Sequence, residues 1–415
     1  GLGDRSRGGA AASAAGASTA ASGAATGAVV GLSVRTLVDL ALANLALPKD
    51  SEVLFMPGIT VPALVEVVES HGLRAVGAGP HTAAQLLPNR VEPHVTSATR
   101  VLVITHLFGS VNDVGGLIRE ARRLGLFVIE DVAQSYTSLT LPPGLQSGQR
   151  GFRGHADADL SVVSFGLLKT DSALGGAVGR VRDFRMREGM LALQSTYPVR
   201  PSGQFLGVVL KAMCMKVIGQ PHVFGMIAAA GLALGVDYDV LLVKWSRGFP
   251  DGRGYRNRPS LPLLRLLLRR LKEQDVRRAH ETLRVQSRQA QQRQVGEAMV
   301  SRLAAEGVQV LGNSGVFCSW WLVPIVDDDP RGLVRELSAQ GFDATCSATQ
   351  LRPIEALPAK VAGVAGGSSG AALGSAHNAP MAHELMRKVV YLPIYPDLPP
   401  QACNRLVAAV LEARR

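Results

Sequence analysis

Cysteine is scarce in this sequence, with four residues in 415. Cys214, Cys318, Cys346 and Cys403 lie far apart and form no C-x-x-C pair. That excludes a disulfide scaffold and argues against a zinc ribbon or knuckle. The four read as single reduced thiols, which fits a reducing compartment. Aromatic residues make up only 5% of the chain, and no basic stretch is interleaved with them in the way single-stranded nucleic acid requires. Acids lag behind bases, 33 against 44, for a formal charge of +11. The charge invites a nucleic-acid partner, an acidic small ligand or an anionic membrane surface. A clean membrane-spanning run is also missing. Val217–Val236 is twenty uncharged residues, but Gln220, Pro221 and His222 weaken it as a span. What is present is apolar material, 47% of the chain, enough for a core and too much for a disordered protein. At roughly 150 residues per domain, the length predicts two to three domains.

The first thirty residues are mostly Ala, Gly, Ser and Thr, and Asp4 is their only acid. Residues 1–30 are predicted to be a flexible leader. The chain begins with Gly, so its true start is expected to lie upstream. Arg5 and Arg7 in an acid-poor setting are compatible with an organelle transit remnant, or with a plain extension. From Ser33 onward an order emerges. Leu37, Leu40, Ala41 and Leu45 recur at helical spacing, and Pro48 ends that helix. Val53–Met56, Val101–Ile104, Phe127–Ile129 and Leu160–Phe165 are short apolar strands, alternating with helices at Val61–Ser70 and Val114–Leu124. Near-continuous apolar strands between helices predict a mostly parallel sheet covered on both faces. Ligands of such sheets sit beyond the carboxyl ends of the strands. Asp131, which ends one strand, and the residues after Phe165 are therefore positioned for chemistry.

The ordered set of motifs lies in His106–Ala177. H-L-F-G spans His106–Gly109, I-E-D-V-A-Q spans Ile129–Gln134, S-V-V-S-F-G-L-L-K-T spans Ser161–Thr170, and L-G-G-A-V follows at Leu174–Val178. In order, spacing and strand context this set resembles the DegT/StrS-type sugar aminotransferases, pyridoxal-phosphate (PLP) enzymes of fold type I. Weaker similarity extends from about Gly31 to Arg415. The resemblance implies an α/β fold: a large PLP-binding domain with a mostly parallel central sheet over 31–185, an apolar insert over 186–257, and a basic connecting helix with a smaller α+β C-terminal domain over 258–415.

The resemblance also implies site residues. Lys169 would form the Schiff base with the PLP aldehyde. Desolvation in a pocket makes such a lysine's amine available as nucleophile and proton carrier near neutral pH. Asp131 would stand beside the pyridine nitrogen, where a negative charge keeps the ring protonated and lets it stabilise a substrate carbanion. Glu130 would point to the other side by strand alternation. Gln134 would lie near the cofactor ring or substrate, and Ser164 would donate to the cofactor phosphate. At the phosphate turn the family's glycine is missing from Ser33-Val34-Arg35-Thr36, where Thr36 and Arg35 could still contact an anion. Val61 stands where the family commonly stacks an aromatic residue on the ring. Tyr255–Arg258 is the nearest counterpart of a segment that reaches the partner's phosphate site in family dimers. The implied activity is transfer of an amino group from an amino-acid donor such as glutamate to a nucleotide-linked keto-sugar, in a homodimer, with no metal required. The departures leave open a non-catalytic or regulatory homologue acting by binding. A sugar dehydratase would normally replace the lysine with histidine, and Lys169 argues against it.

Leu261–Arg288 is leucine-rich and studded with arginines. Leu264, Leu267, Leu268 and Leu271 are expected to pack inward, with the arginines solvated. No DNA-binding motif accompanies it, so no nucleic-acid partner is expected. Residues 205–236 are expected either to form a subunit-interface or core hairpin, or to touch a membrane peripherally, helped by the adjacent positive charge. The expected location is the cytoplasm or the interior of a plastid or mitochondrion.

Overall fold

A computed structural model describes residues 27–80, 85–137, 152–234, 254–280, 288–354 and 379–414, with Thr82, Leu139 and Leu141. Most of the leader and the Gly363–Ser375 loop lie outside the described residues. In chain order, β1 (Gly27–Gly31), α1 (Val34–Leu45), β2 (Glu52–Met56), β3 (Ile59–Thr60), α2 (Pro62–Ser70), β4 (Arg74–Gly77), β5 (Thr99–Thr105), β6 (Ser110–Val111), α3 (Gly115–Arg123), β7 (Phe127–Asp131), β8 (Leu160–Ser164) and β9 (Ala177–Val181) come first. Next are α4 (Phe184–Ser195), α5 (Ser202–Ile218), α6 (Pro221–Leu234) and α7 (Leu261–His280). The chain ends with α8 (Arg288–Ala305), β10 (Phe317–Cys318), β11 (Val323–Val326), α9 (Pro330–Ala339), β12 (Arg352–Pro353), α10 (Ala379–Arg387), β13 (Val389–Leu392) and α11 (Pro400–Ala413).

Seven strands form one sheet in the order β1-β9-β8-β7-β5-β2-β4. Neighbours from β8 to β4 are parallel, and β9 runs antiparallel to both β8 and β1. β2 is buried throughout, as a strand covered on both faces must be. One face carries α1, α2 and α4 over a core that includes Leu37, Leu40, Val53, Phe55 and Met190. The other carries α3 over Leu54, Leu102, Ile118 and Val128. A separate core of Met299, Leu303, Val323, Leu337, Leu406 and Val410 lies among α8, α9, α11 and the antiparallel β11–β13 pair. Short pairings, β6 with β10 and β3 with β12, tie this C-terminal part to the loops at the sheet's edge.

Three sequence expectations need correction. The flexible leader does not reach Val30: residues 27–31 form β1, and Val29 is fully buried against the sheet. The insert does not begin at 186, because α4 packs on α1 and β1 and buries Met186 and Met190 in the main core. The leucine stripe of α7 is rotated from the expected one. Leu263 and Leu267 are buried, with Leu266 and Leu271 partly so, whereas Leu264 and Leu268 face outward. The helix has enough leucines for two stripes. The contacts of Leu263 with Leu32 and Phe205, distant in sequence, select the inner one. Leu263→Ala should therefore cost about 2–5 kcal/mol in chemical denaturation, while Leu268→Ala should stay within about 0.5 kcal/mol of wild type. Equal losses would restore the expected register.

Candidate active site

The sheet register brings the motif residues to one edge. Thr105 pairs with Asp131, Asp131 with Val162, and Ser164 and Gly31 both with Ala177. The carboxyl ends of β1, β5, β7 and β8 thus lie side by side, as expected for a ligand site in a parallel sheet. The turns are linked further. Gly176 donates its N–H to the Leu32 carbonyl (3.1 Å) and accepts from the Phe165 N–H (3.0 Å). The start of α1 therefore adjoins the turn after β8.

Lys169 sits in that turn, held by its own N–H on the Gly166 carbonyl (3.0 Å). Burial pulls its ammonium down to about 8, and the Asp131 charge opposes the shift. Its Nζ lies 4.2 Å from the centre of the Trp321 ring, within reach of a cation–π contact. Trp321 is anchored by its indole N–H on the Leu168 carbonyl (3.2 Å). Gly109 makes this approach possible. Its φ is +90°, and a Cβ there would fall 2.6 Å from the Trp321 nitrogen, so only glycine fits.

Asp131 is buried, and one carboxylate oxygen accepts from the Ala133 N–H (2.9 Å). Burial pushes its carboxyl above the ordinary range. The Ala133 amide, Lys169 and His106 pull it back, and Glu130 pushes further up. Glu130 points away, into a network of its own. One oxygen meets His106 Nε2 at 3.0 Å. The other accepts from the His155 N–H and the Ser161 hydroxyl. The His106 Nδ1 accepts from the Asn112 N–H (3.2 Å), so the ring proton lies on Nε2, facing Glu130. Burial alone would raise the Glu130 carboxyl, but these donors together hold it below its ordinary value.

Gln134 uses its Oε1 to accept from the Phe108 N–H (2.9 Å), tying it to the H-L-F-G turn. Ser164 is half-buried at the end of β8, with the Gly166 N–H 3.4 Å from its oxygen. Thr36 departs from expectation. It closes a capping box with Ser33, and its hydroxyl donates to the Tyr255 carbonyl at 2.7 Å. Its proton is thus committed inside the protein, so Thr36 fastens α1 to residue 255 instead of offering a hydroxyl to an anion. Tyr255–Arg258 also turns inward. Arg256 clasps Asp39 (2.7 Å), which further receives His71 (2.9 Å) and the Tyr197 hydroxyl (2.7 Å). Asn257 donates to Gly254, and Arg258 to Tyr197. These side chains are engaged within their own chain.

Three features of the site were not read from the sequence: the His106–Glu130 pair, Trp321 over Lys169, and the clasp on Asp39. The first left a signal, a histidine and a glutamate at the ends of adjacent parallel strands. The others join residues far apart in the chain.

The fold is that of the fold-type I PLP-dependent sugar aminotransferases. Residues 23–170 match the model of the DegT/DnrJ/EryC1/StrS aminotransferase family. A curated relative, the L-glutamine:2-deoxy-scyllo-inosose aminotransferase of Streptomyces fradiae, is 45% identical over 49 residues, a match that spans 12% of this chain and 12% of that protein. Among solved structures, a DegT DnrJ EryC1 StrS aminotransferase from Brucella abortus aligns at a TM-score of 0.61 and 16% identity, over 93% of this chain and 86% of that one. NtdA of Bacillus subtilis, with bound cofactor PMP, aligns at 0.57 and 16% identity, over 93% and 73%.

Proposed function

We propose that this chain is a PLP-dependent aminotransferase moving an amino group from an amino acid to a keto-sugar, nucleotide-linked in the simplest case, as a homodimer. One observation carries the reading: a half-buried lysine whose ammonium is lowered to about 8 shares a strand-end edge with a buried carboxylate, Asp131. When bound, PLP supplies an aldehyde that accepts the amino group and a ring that stabilises a carbanion. The residues fit that group. Lys169 would hold the aldehyde carbon and, once released, carry a proton between the donor's α-carbon and the cofactor. Asp131 would face the ring nitrogen. Its carboxyl, raised by burial, would ionise beside a cationic partner. Ser164 and the first amides of α1 would receive the phosphate. Gln134 would fix the His106–Gly109 turn beside the ring. The keto-sugar acceptor is supported by the family match over residues 23–170 and by the short match to the Streptomyces fradiae enzyme.

Val61 favours a second reading, a binding protein that keeps the fold without the reaction. Trp321, whose ring lies 4.2 Å from Lys169 Nζ, would still offer an aromatic face at the site, which weighs against it. PLP added to the purified protein should give a band near ~420 nm. Borohydride should then trap the pyridoxyl group on Lys169, and L-glutamate or L-glutamine should bleach the band. A band that persists in Lys169→Ala would remove the lysine from its role. A band that no amino acid bleaches would favour the binding protein.

A further inference from the structure

α5 and α6 stand apart from the rest of the chain. α5 is anchored at one end, where Phe205 and Val209 pack with Leu32, Leu263 and Leu266. Beyond that anchor its apolar residues face outward. Leu206, Leu210, Met213 and Val217 recur at helical spacing, and each is more than half exposed. After a break the chain bends by 81° into α6. α6 carries no charged residue, and Met226 and Leu234 are 66% and 77% exposed. A helix without a polar face is not at equilibrium with water and needs an apolar cover.

Length limits what that cover can be. No single helix among the described residues is long and apolar enough to cross a membrane, although the bent pair passes the test together. An apolar stretch of α6's length suits a re-entrant or interfacial segment better than a span. Charge limits it further. No Asp or Glu occurs from residue 189 to residue 234, whereas Arg200, Lys211 and Lys216 do. Lys216 is exposed, as are Arg265 and Lys272 on the neighbouring α7. Two copies meeting through this face about a two-fold axis would set lysine against lysine, with no acid in the segment to offset them. An anionic lipid surface offers both an apolar layer and the opposite charge.

We infer that the bent pair α5–α6 is a monotopic membrane contact that seats in the headgroup and acyl boundary of an anionic bilayer, with α7 and its basic residues behind it. The inference is independent of the proposed activity, because it uses no residue of the Lys169 edge.

Sedimentation with vesicles tests it on the full chain. Vesicles of phosphatidylcholine containing one-quarter phosphatidylglycerol should bind the protein at least ~10-fold more tightly than phosphatidylcholine alone, given two lysines on α5. Binding should weaken in high salt. Met213→Glu and Met226→Glu each place an acid on an exposed apolar position. Each should lose ~10-fold or more in vesicle binding with an unchanged melting temperature. No binding of wild type to the anionic vesicles at low salt would overturn the inference. So would equal binding by wild type and both variants. Conversion of a dimer to a monomer by either variant in light scattering would also overturn it, because a second copy would then be the cover.

Discussion

Lys169→Met is expected to abolish exchange of the α-proton of L-glutamate in PLP-loaded protein, by about a thousandfold or more, while the cofactor-free protein melts no lower than wild type. Both effects have one cause. Lys169 is held where its ammonium is poorly solvated, and burial lowers it to about 8. This makes the amine reactive near neutral pH, and it also makes the charged form a cost to the fold. Methionine fills similar space without the charge. The pH dependence separates this account from a simple packing effect. Below about pH 8 the lysine is charged in both folded and unfolded chains, so the desolvation penalty is fully present. Between about 8 and its ordinary 10.5, the folded amine has released its proton while the unfolded chain still holds it. Wild-type stability then rises with pH relative to the variant. The advantage of Lys169→Met should therefore shrink across that window. Proton exchange is followed by NMR in heavy water and stability by thermal melts. A variant advantage that grows with pH would contradict the burial of Lys169.

The chemistry-bearing edge was legible because its signals are local. Each buried strand is a short apolar run, and the residue that ends it is polar: Asp131 after Phe127–Ile129, and Ser164 then Lys169 after Leu160. Parallel order alone places such ends together. The bonds that decide the remaining structure span large separations. From sequence Thr36 reads as a candidate anion contact because its partner, the Tyr255 carbonyl, lies 219 residues away. Arg256 looked available to another subunit because its acid, Asp39, belongs to α1. From sequence Gly27–Val30 reads as the end of a flexible leader because it has little to bury alone, and it becomes a strand only on the edge that β9 offers. The register of α7 failed for the same reason, since two leucine stripes are equivalent until Phe205 and Leu32 choose one. Local periodicity carries the sheet and its ligand edge, whereas caps, clasps and helix rotation are set by partners that a linear pattern does not order.

Glu130→Gln should destabilise the protein by about 1–3 kcal/mol, the range for leaving a buried hydrogen-bonding group without its partner. It should also weaken PLP binding without touching the cofactor's expected contacts. The carboxylate accepts from three groups: the His106 ring, the His155 N–H and the Ser161 hydroxyl. Glutamine offers one oxygen and one NH2. In one orientation the NH2 meets the proton on His106 Nε2, and in the other it meets the His155 N–H. Moving the ring proton to Nδ1 would relieve the first clash but set it against the Asn112 N–H. A buried donor is left unsatisfied in every arrangement. The consequence reaches the site through the backbone, because the His106 N–H holds the Asp131 carbonyl at 3.1 Å. Glu130 also directly precedes Asp131. Acidity gives a second readout. The folded Glu130 carboxyl lies below its ordinary 4.5. Its contribution is therefore full above that value and is lost as pH falls through the folded value. Glutamine has no such dependence, so the two denaturation free energies should converge on acidification below about pH 4.5. A constant gap between them from pH 7 to pH 3 (roughly the titration range of carboxylates) would show that folding leaves the Glu130 carboxyl at its ordinary value.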